Sequence, residues 1–320
     1  MPINVLANDG LHPAGVEMLE KAGYNVIQNK VAQPQLATYI NDNDVSVVLV
    51  RSATKVRQDV IDACPNLKLI GRGGVGMDNI DVEYARSKGL HVVNTPAASS
   101  DSVAELAMAH LYGMVRFLHD SNRNMPLDGD SKFAELKKKY AKGQELKGKT
   151  LGLIGTGRIA LAMAERAIGV GMKVIAHSPS GENKTVTLSF FDGQQVDVTI
   201  ENVSMDALLK TSDFVSLHVP KQPKAIIDGN AINKMKDGVA IINTSRGGIV
   251  DEDALLSAID DGKIRYAALD VFDNEPTPAI KVLMRGELSL SPHIGASTVE
   301  AQARIGEELA DAIINKVPNQ

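Results

Sequence analysis

The chain has no tryptophan, one cysteine and only 4% aromatic residues among its 320. A lone Cys64 excludes an intrachain disulfide and fits a reducing, cytoplasmic compartment. With so few rings and a net charge of −5 there is no basic, aromatic-interleaved patch, so no nucleic-acid partner is expected. No apolar run reaches the roughly eighteen residues of a membrane span, and the N-terminus lacks the basic-then-apolar pattern of a secretion signal. Nor is a metal site read from the chain. What remains is 44% apolar and 23% charged, the composition of a soluble globular protein with enough residues for two cores.

The most informative stretch is Leu151-Gly-Leu-Ile-Gly-Thr-Gly-Arg-Ile-Ala160. A short buried strand turns sharply through Gly155-Thr156-Gly157, and helical spacing resumes with Ile159, Met163, Arg166 and Ala167. Gly155 permits the turn. Gly157 lets the backbone approach a pyrophosphate, whose charge sits against the free N–H groups of the helix start. Ala160 stands where the third glycine of the pattern would be, a site that needs only a small residue. A glycine turn alone is weak evidence, because structural turns use the same residues. A second strand at 173–177 closes a βαβ unit and strengthens the reading as a dinucleotide site.

Before this motif the chain alternates strand and helix. Strands are expected at 3–8, 24–27, 45–50, 67–70 and 91–93, with helices at 14–22, 35–40, 56–63 and 82–88 between them. The pattern predicts a parallel sheet covered on both faces. Two of its strand ends carry special residues, Arg51-Ser-Ala-Thr-Lys55 and Gly71-Arg-Gly-Gly-Val-Gly76. Ser102-x-x-Glu105 reads as a capping box opening a helix whose apolar face includes Val103, His110, Leu111, Met114 and Leu118. Residues 122–148 are lysine-rich and poorly patterned, a long connection or arm. After residue 150 a second βα series follows, with strands at 214–218, 239–243, 266–271 and 288–290. One hairpin interrupts it, 185–191 against 196–203 around Asp192-Gly193. The last helix, 298–316, is expected to return to the first domain.

Three polar groups stand just past strands of the second series: Arg246 beside Gly247-Gly248, Glu275 before Pro276, and His293 in Ser291-Pro-His-Ile-Gly-Ala296. A guanidinium can grip a carboxylate with two bonds. An imidazole exchanges protons near neutrality, and a carboxylate beside it orients the ring and favours its charged form. Taken singly, each could be a cap, a surface ion pair or a solvated turn residue. Together, behind a dinucleotide motif, they suit oxidation of an alcohol next to a carboxylate.

The ordered series Val50-Arg-Ser-Ala-Thr-Lys-Val56, 71–81, Asn94-Thr-Pro96, Ser102-Val-Ala-Glu105, Leu146-Lys-Gly-Lys-Thr150, 155–159, 243–252, 268–276 and 292–301 resembles the D-2-hydroxyacid dehydrogenases nearly end to end. Within that family the likeness is greatest to members acting on 3-phosphoglycerate. The resemblance implies an α/β fold of two doubly wound parallel-sheet domains. A Rossmann cofactor domain (96–296, with a dimerisation helix and arm at 102–148) would be inserted in a flavodoxin-like substrate domain (1–95 with 297–320).

It also implies that Arg246 binds the substrate carboxylate and keto oxygen while His293 moves the hydroxyl proton with Glu275 as partner. The reaction expected is NAD-linked conversion of 3-phosphoglycerate to 3-phosphohydroxypyruvate in serine biosynthesis. Cofactor contacts carry over as Val75, Gly155, Gly157, Arg158, Ile159, His177, Ser178, His218, Val219, Pro220, Thr244, Ser245, Asp270, His293, Gly295 and Ala296. Asp270 would meet the carboxamide. Arg51, Ser52, Arg72, Gly73 and Gly74, with Arg246, match the substrate loops, although Arg51 and Arg72 can also be read as surface charges. A homodimer is implied, and Lys137-Lys-Lys139 could lend a charge to a neighbour's pocket.

Two departures matter. Ser178 stands where NAD-preferring members have an aspartate for the adenosine ribose, which leaves NADP open, although no arginine is there to attract a 2′-phosphate. The hairpin replaces a short helix. Since the chain ends at Gln320, feedback through a C-terminal serine-sensing domain is not expected. A glyoxylate or hydroxypyruvate reductase, using NAD or NADP, and a non-catalytic NADH-sensing protein like the corepressors of this fold are the competing readings.

Overall fold

The structure is a computed structural model and describes residues 2–319. The chain divides into two compact units, Met1–Ser100 with Ala296–Gln320, and Asp101–Gly295.

In the first unit, β1 (Asn4–Ala7), β2 (Asn25–Ile27), β3 (Val45–Val50), β4 (Leu69–Arg72) and β5 (His91–Asn94) pair in parallel in the order β2-β1-β3-β4-β5. This is the flavodoxin-like winding. Strand periodicity sorts the side chains between two cores. Val5, Ala7, Val47 and Leu49 face one side, with α1 (Pro13–Lys21) and the C-terminal helix (Val299–Lys316). Leu6, Val48 and Val50 face the other, with α2 (Leu36–Asp42), α3 (Gln58–Ala63) and α4 (Val82–Ser87) around it. The C-terminal helix starts where Thr298 Oγ1 accepts the Ala301 N–H at 3.1 Å. It crosses α1 at a pair of glycines, where a Cβ on Gly15 would stand 2.5 Å from the Gly306 carbonyl oxygen. Strand β4 runs two residues later than its apolar pattern predicts, because Gly71 and Arg72 continue the ladder opposite Leu49 and Val50.

The second unit opens with α5 (Ser100–Val115), α6 (Leu118–Asp128) and α7 (Phe133–Lys139). Its sheet is built from β6 (Thr150–Ile154), β7 (Lys173–His177), β8 (Lys184–Ser189), β9 (Gln195–Asn202), β10 (Phe214–Leu217), β11 (Val239–Asn243), β12 (Ile264–Leu269) and β13 (Leu288–Leu290). Between them lie α8 (Arg158–Gly169), α9 (Met205–Thr211), α10 (Gly229–Lys234), α11 (Glu252–Asp260) and α12 (Ile280–Leu283). The order is β13-β12-β11-β10-β6-β7-β9-β8, parallel except where β8 runs antiparallel to β9. Strand β9 occupies the third-strand place of a Rossmann sheet, and the hairpin around Asp192-Gly193 thereby extends the sheet by one more strand.

Three expectations need correction. The capping box at Ser102 does not form. Helix α5 starts at Ser100, Ser102 is buried within its first turns, and Glu105 reaches across to Arg166 of α8 at 3.1 Å. The helix also stops at Val115, because Phe117 adopts a left-handed φ of 57°, so Leu118 leaves the apolar face and is exposed. The arm, in turn, is two short helices rather than an unpatterned connection. Lys139 is spent inside it on Asp120 at 2.7 Å, with its ammonium over the Tyr140 ring.

Candidate active site

The strand order of the second unit reverses between β6 and β10, and such a switch point opens a crevice at the carboxyl ends of the strands. Gly155 has φ +101°, and a Cβ there would lie 2.3 Å from the His218 carbonyl oxygen, so only glycine lets the two loops touch. Gly157 caps α8 without any side-chain hydrogen bond, and a Cβ on it would meet open space. The N–H groups of Arg158 and Ile159 thus begin a helix whose positive end faces room for an anion. Ala160 is fully buried behind them. On the other rim, Val219 and Pro220 follow His218, whose Nε2 lies 2.9 Å from Ser216 Oγ. Burial pushes the His218 imidazole down to about 4, so the ring is neutral near pH 7. Past β11, Thr244 Oγ1 is buried with no hydrogen-bond partner among the described residues. These features fit a dinucleotide: open space at the helix start, a glycine turn that a side chain would block, and an orphaned hydroxyl in the crevice.

At the end of β7, His177 Nδ1 lies 2.9 Å from the Val203 carbonyl oxygen. Ser178 is only 8% exposed. Its N–H donates to Asn202 Oδ1 at 2.8 Å, and its hydroxyl lies 3.0 Å from Ser180 Oγ. No local signal in the sequence marks Asn202. It ends the hairpin strand β9 beside Ala176, so the hairpin shapes the loop where the aspartate is replaced. No carboxylate takes part in this set.

Arg246, Glu275 and His293 lie in the loops after β11, β12 and β13, three adjacent strands spaced by roughly 5 Å each. Asn243 builds the first loop. Its Oδ1 accepts the Ser245 hydroxyl at 2.8 Å, and its Nδ2 donates to the Arg246 carbonyl at 2.9 Å. Arg246 Nη1 donates to the Ser245 carbonyl at 2.7 Å, which orients the guanidinium against its own loop. Gly247 docks this loop on the next, since a Cβ there would fall 1.8 Å from the Phe272 carbonyl oxygen. The Gly248 N–H adds a 2.7 Å bond to Asp273.

Glu275 Oε1 accepts the Phe272 N–H at 3.0 Å, while Oε2 lies 2.8 Å from His293 Nδ1. The carboxylate is thereby fixed, and Nε2 is the open nitrogen of an imidazole that keeps 40% of its side-chain surface exposed. His293 itself has φ 55°, a left-handed conformation uncommon outside glycine. Asp270 is 1% exposed and turned inward. It accepts the Ser291 hydroxyl at 2.6 Å and the Ile294 and Gly295 N–H groups at 2.9 Å each, so its carboxylate shapes the loop around His293.

Of the residues expected in substrate loops, Arg51, Ser52, Arg72, Gly73 and Gly74 belong to the first unit and Arg246 to the second. Asp9, which no local signal in the sequence marks, pins the 51–54 loop: it accepts the Arg51 N–H at 2.7 Å and the Thr54 hydroxyl at 2.7 Å. A cavity of about 260 Å³ opens at the β1/β3 switch point, lined by Asp9, His12, Arg51 and Gly73 among others. Gly73 lies under the Arg51 side chain. Arg72 folds its guanidinium over Gly74, whose φ of +139° and lack of a Cβ make the space. Ser52 and Val75 are exposed, and the Ala296 carbonyl accepts Gln302 Nε2 at 2.8 Å.

Residues 108–295 match the D-isomer specific 2-hydroxyacid dehydrogenase, NAD binding domain. The chain is 44% identical over 319 residues to the hydroxypyruvate reductase of Thermotoga maritima, covering 98% of each. It is 41% identical over 313 residues to the D-3-phosphoglycerate dehydrogenase of Methanocaldococcus jannaschii, covering 97% of this chain but only 57% of that longer protein. Among solved structures, the D-lactate dehydrogenase of Aquifex aeolicus complexed with NAD and lactic acid superposes with a TM-score of 0.74 at 29% identity, over 97% of this chain and 94% of that one. A dinucleotide crevice at the β6/β10 switch point and these full-length likenesses lead to one conclusion: the chain belongs to the D-isomer specific 2-hydroxyacid dehydrogenase family, an NAD-dependent enzyme of two α/β units.

Proposed function

We propose that Arg246, Glu275 and His293 carry the reaction, and that the substrate is 3-phosphoglycerate, oxidised to 3-phosphohydroxypyruvate. The observation that carries the first part is the Glu275–His293 pair at 2.8 Å, with the glutamate immobilised by the Phe272 N–H, on strand ends next to the Arg246 loop. Held at the 155–159 turn, NAD would supply the acceptor for the hydride of substrate C2. His293 Nε2 removes the hydroxyl proton as that hydride leaves, and the positive charge gained by the ring is stabilised by Glu275. In reduction the same proton returns to the keto oxygen. Arg246 holds the carboxylate and polarises the keto oxygen with a fork that a point charge cannot copy.

Support for a phosphorylated substrate comes from Arg51 and Gly73 in the wall of the first unit's cavity, which they share with Asp9 and His12. A hydroxypyruvate reductase is the second reading, favoured by the higher identity and matched length of the Thermotoga relative. The two separate cleanly. Initial rates with 3-phosphoglycerate should exceed those with D-glycerate, and Arg51→Leu should lower kcat/KM only for the phosphorylated acid. Equal rates on both acids, unaffected by Arg51→Leu, would transfer the assignment to the reductase.

A homodimer belongs to the same proposal. Leu118, Leu127 and Phe133 expose apolar side chains on α6 and α7, and burying them against a second copy removes that cost. Light scattering that returned a monomer mass would refute it.

A further inference from the structure

His110 is the one member of the apolar face of α5 that can titrate, and the proposed chemistry makes no use of it. Its imidazole is 7% exposed and bridges two serines of the β13 segment, with Nδ1 2.8 Å from Ser289 Oγ and Nε2 2.9 Å from Ser291 Oγ. We infer that His110 is a positioning residue for proton transfer, acting through Ser291 and Asp270 to hold the loop that carries His293. The inference rests on His293 being the proton carrier.

Counting hydrogens supports the direction of the chain. Ser291 has one hydroxyl hydrogen, and it goes to Asp270 Oδ1 at 2.6 Å. Ser291 Oγ must therefore accept from His110, which puts the ring proton on Nε2 and leaves Nδ1 to accept the Ser289 hydrogen. Burial pushes the imidazole pKa down, against the opposing pull of Asp270, and so preserves this neutral tautomer. Asp270 then spends its remaining capacity on the N–H groups of Ile294 and Gly295, the two residues directly after His293.

His293 needs such a hold. Its left-handed backbone is unfavourable for a side chain with a Cβ and persists only where neighbours impose it. Without Nε2–H the Ser291 hydroxyl loses its donor and can rotate away from Asp270, and the 291–295 loop loses one of its three donors to that carboxylate. The imidazole would then sample orientations in which Nδ1 no longer meets Glu275. The pyrophosphate end of the coenzyme is read on the 155–159 and 218–220 loops, which this change does not touch, so NADH affinity should fall little even though Asp270, Gly295 and Ala296 would stand at the nicotinamide end.

The test compares His110→Leu, His110→Gln and Ser291→Ala in the full chain by steady-state rates and NADH fluorescence titration, with His293→Ala alongside. Expected is a kcat about tenfold lower for His110→Leu and Ser291→Ala, with the NADH Kd within about twofold of the parent. His110→Gln, whose amide N–H can stand in for Nε2–H, should recover most of the rate. Unchanged kcat in the first two variants, or a loss of NADH binding in step with kcat, would overturn the relay, as would a glutamine variant as slow as the leucine one. Should His110→Leu fail to fold, Ser291→Ala decides by the same two readouts. A fully active His293→Ala would instead bring down the reading underneath, and the relay with it.

Discussion

Glu275 divides its two oxygens between a backbone N–H and an imidazole, and in the proposed reaction this division would make His293 a directed base. Replacing His293 by alanine should lower kcat by about 100- to 10,000-fold, the usual worth of a positioned proton carrier. The NADH Kd should stay near that of the parent, as fluorescence titration can check. Arg246→Lys should lower kcat/KM by about 10- to 100-fold, the loss of a charge-assisted bond; near-normal values would reject a bidentate grip. These three residues were legible in the chain because each is a polar residue just past an apolar run, flanked by glycine or proline. Asp9, Asn202, His110 and Ser291 were not. Each works on a neighbouring loop through backbone groups or hydroxyls, with partners that lie up to 181 positions away, and nothing local marks such a residue.

Among elements, the crossing of α1 with the C-terminal helix depends on two glycines in backbone contact. Gly15→Ala would place a methyl against the Gly306 carbonyl and force the helices apart, because neither backbone can yield alone. The expected cost is about 1–3 kcal/mol, the range for overpacking a close contact. It should appear as a lower urea midpoint with an unchanged slope. The hairpin β8–β9 was readable from its alternation and its Asp192-Gly193 turn. That it joins the main sheet beside β7 was not, since strand alternation does not name a partner. The first turn of α5 teaches the converse: the Ser102/Glu105 spacing is right for a cap, yet Arg166 on α8 offers Glu105 a charged partner that the capping motif cannot match.

For the molecule as a whole, both units are doubly wound sheets whose loops gather at a switch point, one carrying the dinucleotide crevice and the other a cavity beside Arg51. Two histidines tie stability to pH. His110 and His218 are held neutral by burial, the latter down to about 4, whereas unfolded histidine titrates near 6.5. The unfolded chain therefore binds more protons below 6.5, and acidification favours it. Stability should be full above about pH 6.5 and should fall as pH drops through 6.5 towards 4. Urea unfolding of the coenzyme-free enzyme at pH 7 and pH 5 measures this. In His218→Asn the pH-dependent loss should shrink, and an equal loss in both proteins would show that His218 does not contribute.

Local signals were enough for the α/β class, the glycine turn at 155–157 and the polar residues at strand ends, because periodicity, turn chemistry and residue type are properties of neighbours in the chain. Tertiary structure alone decided which oxygens those residues face: Glu275 on His293, Asp270 on the 294–295 backbone, Asn202 on Ser178. Such pairings join segments that only a folded sheet brings within 3 Å, and a hydrogen bond exists only where distance and direction are both met.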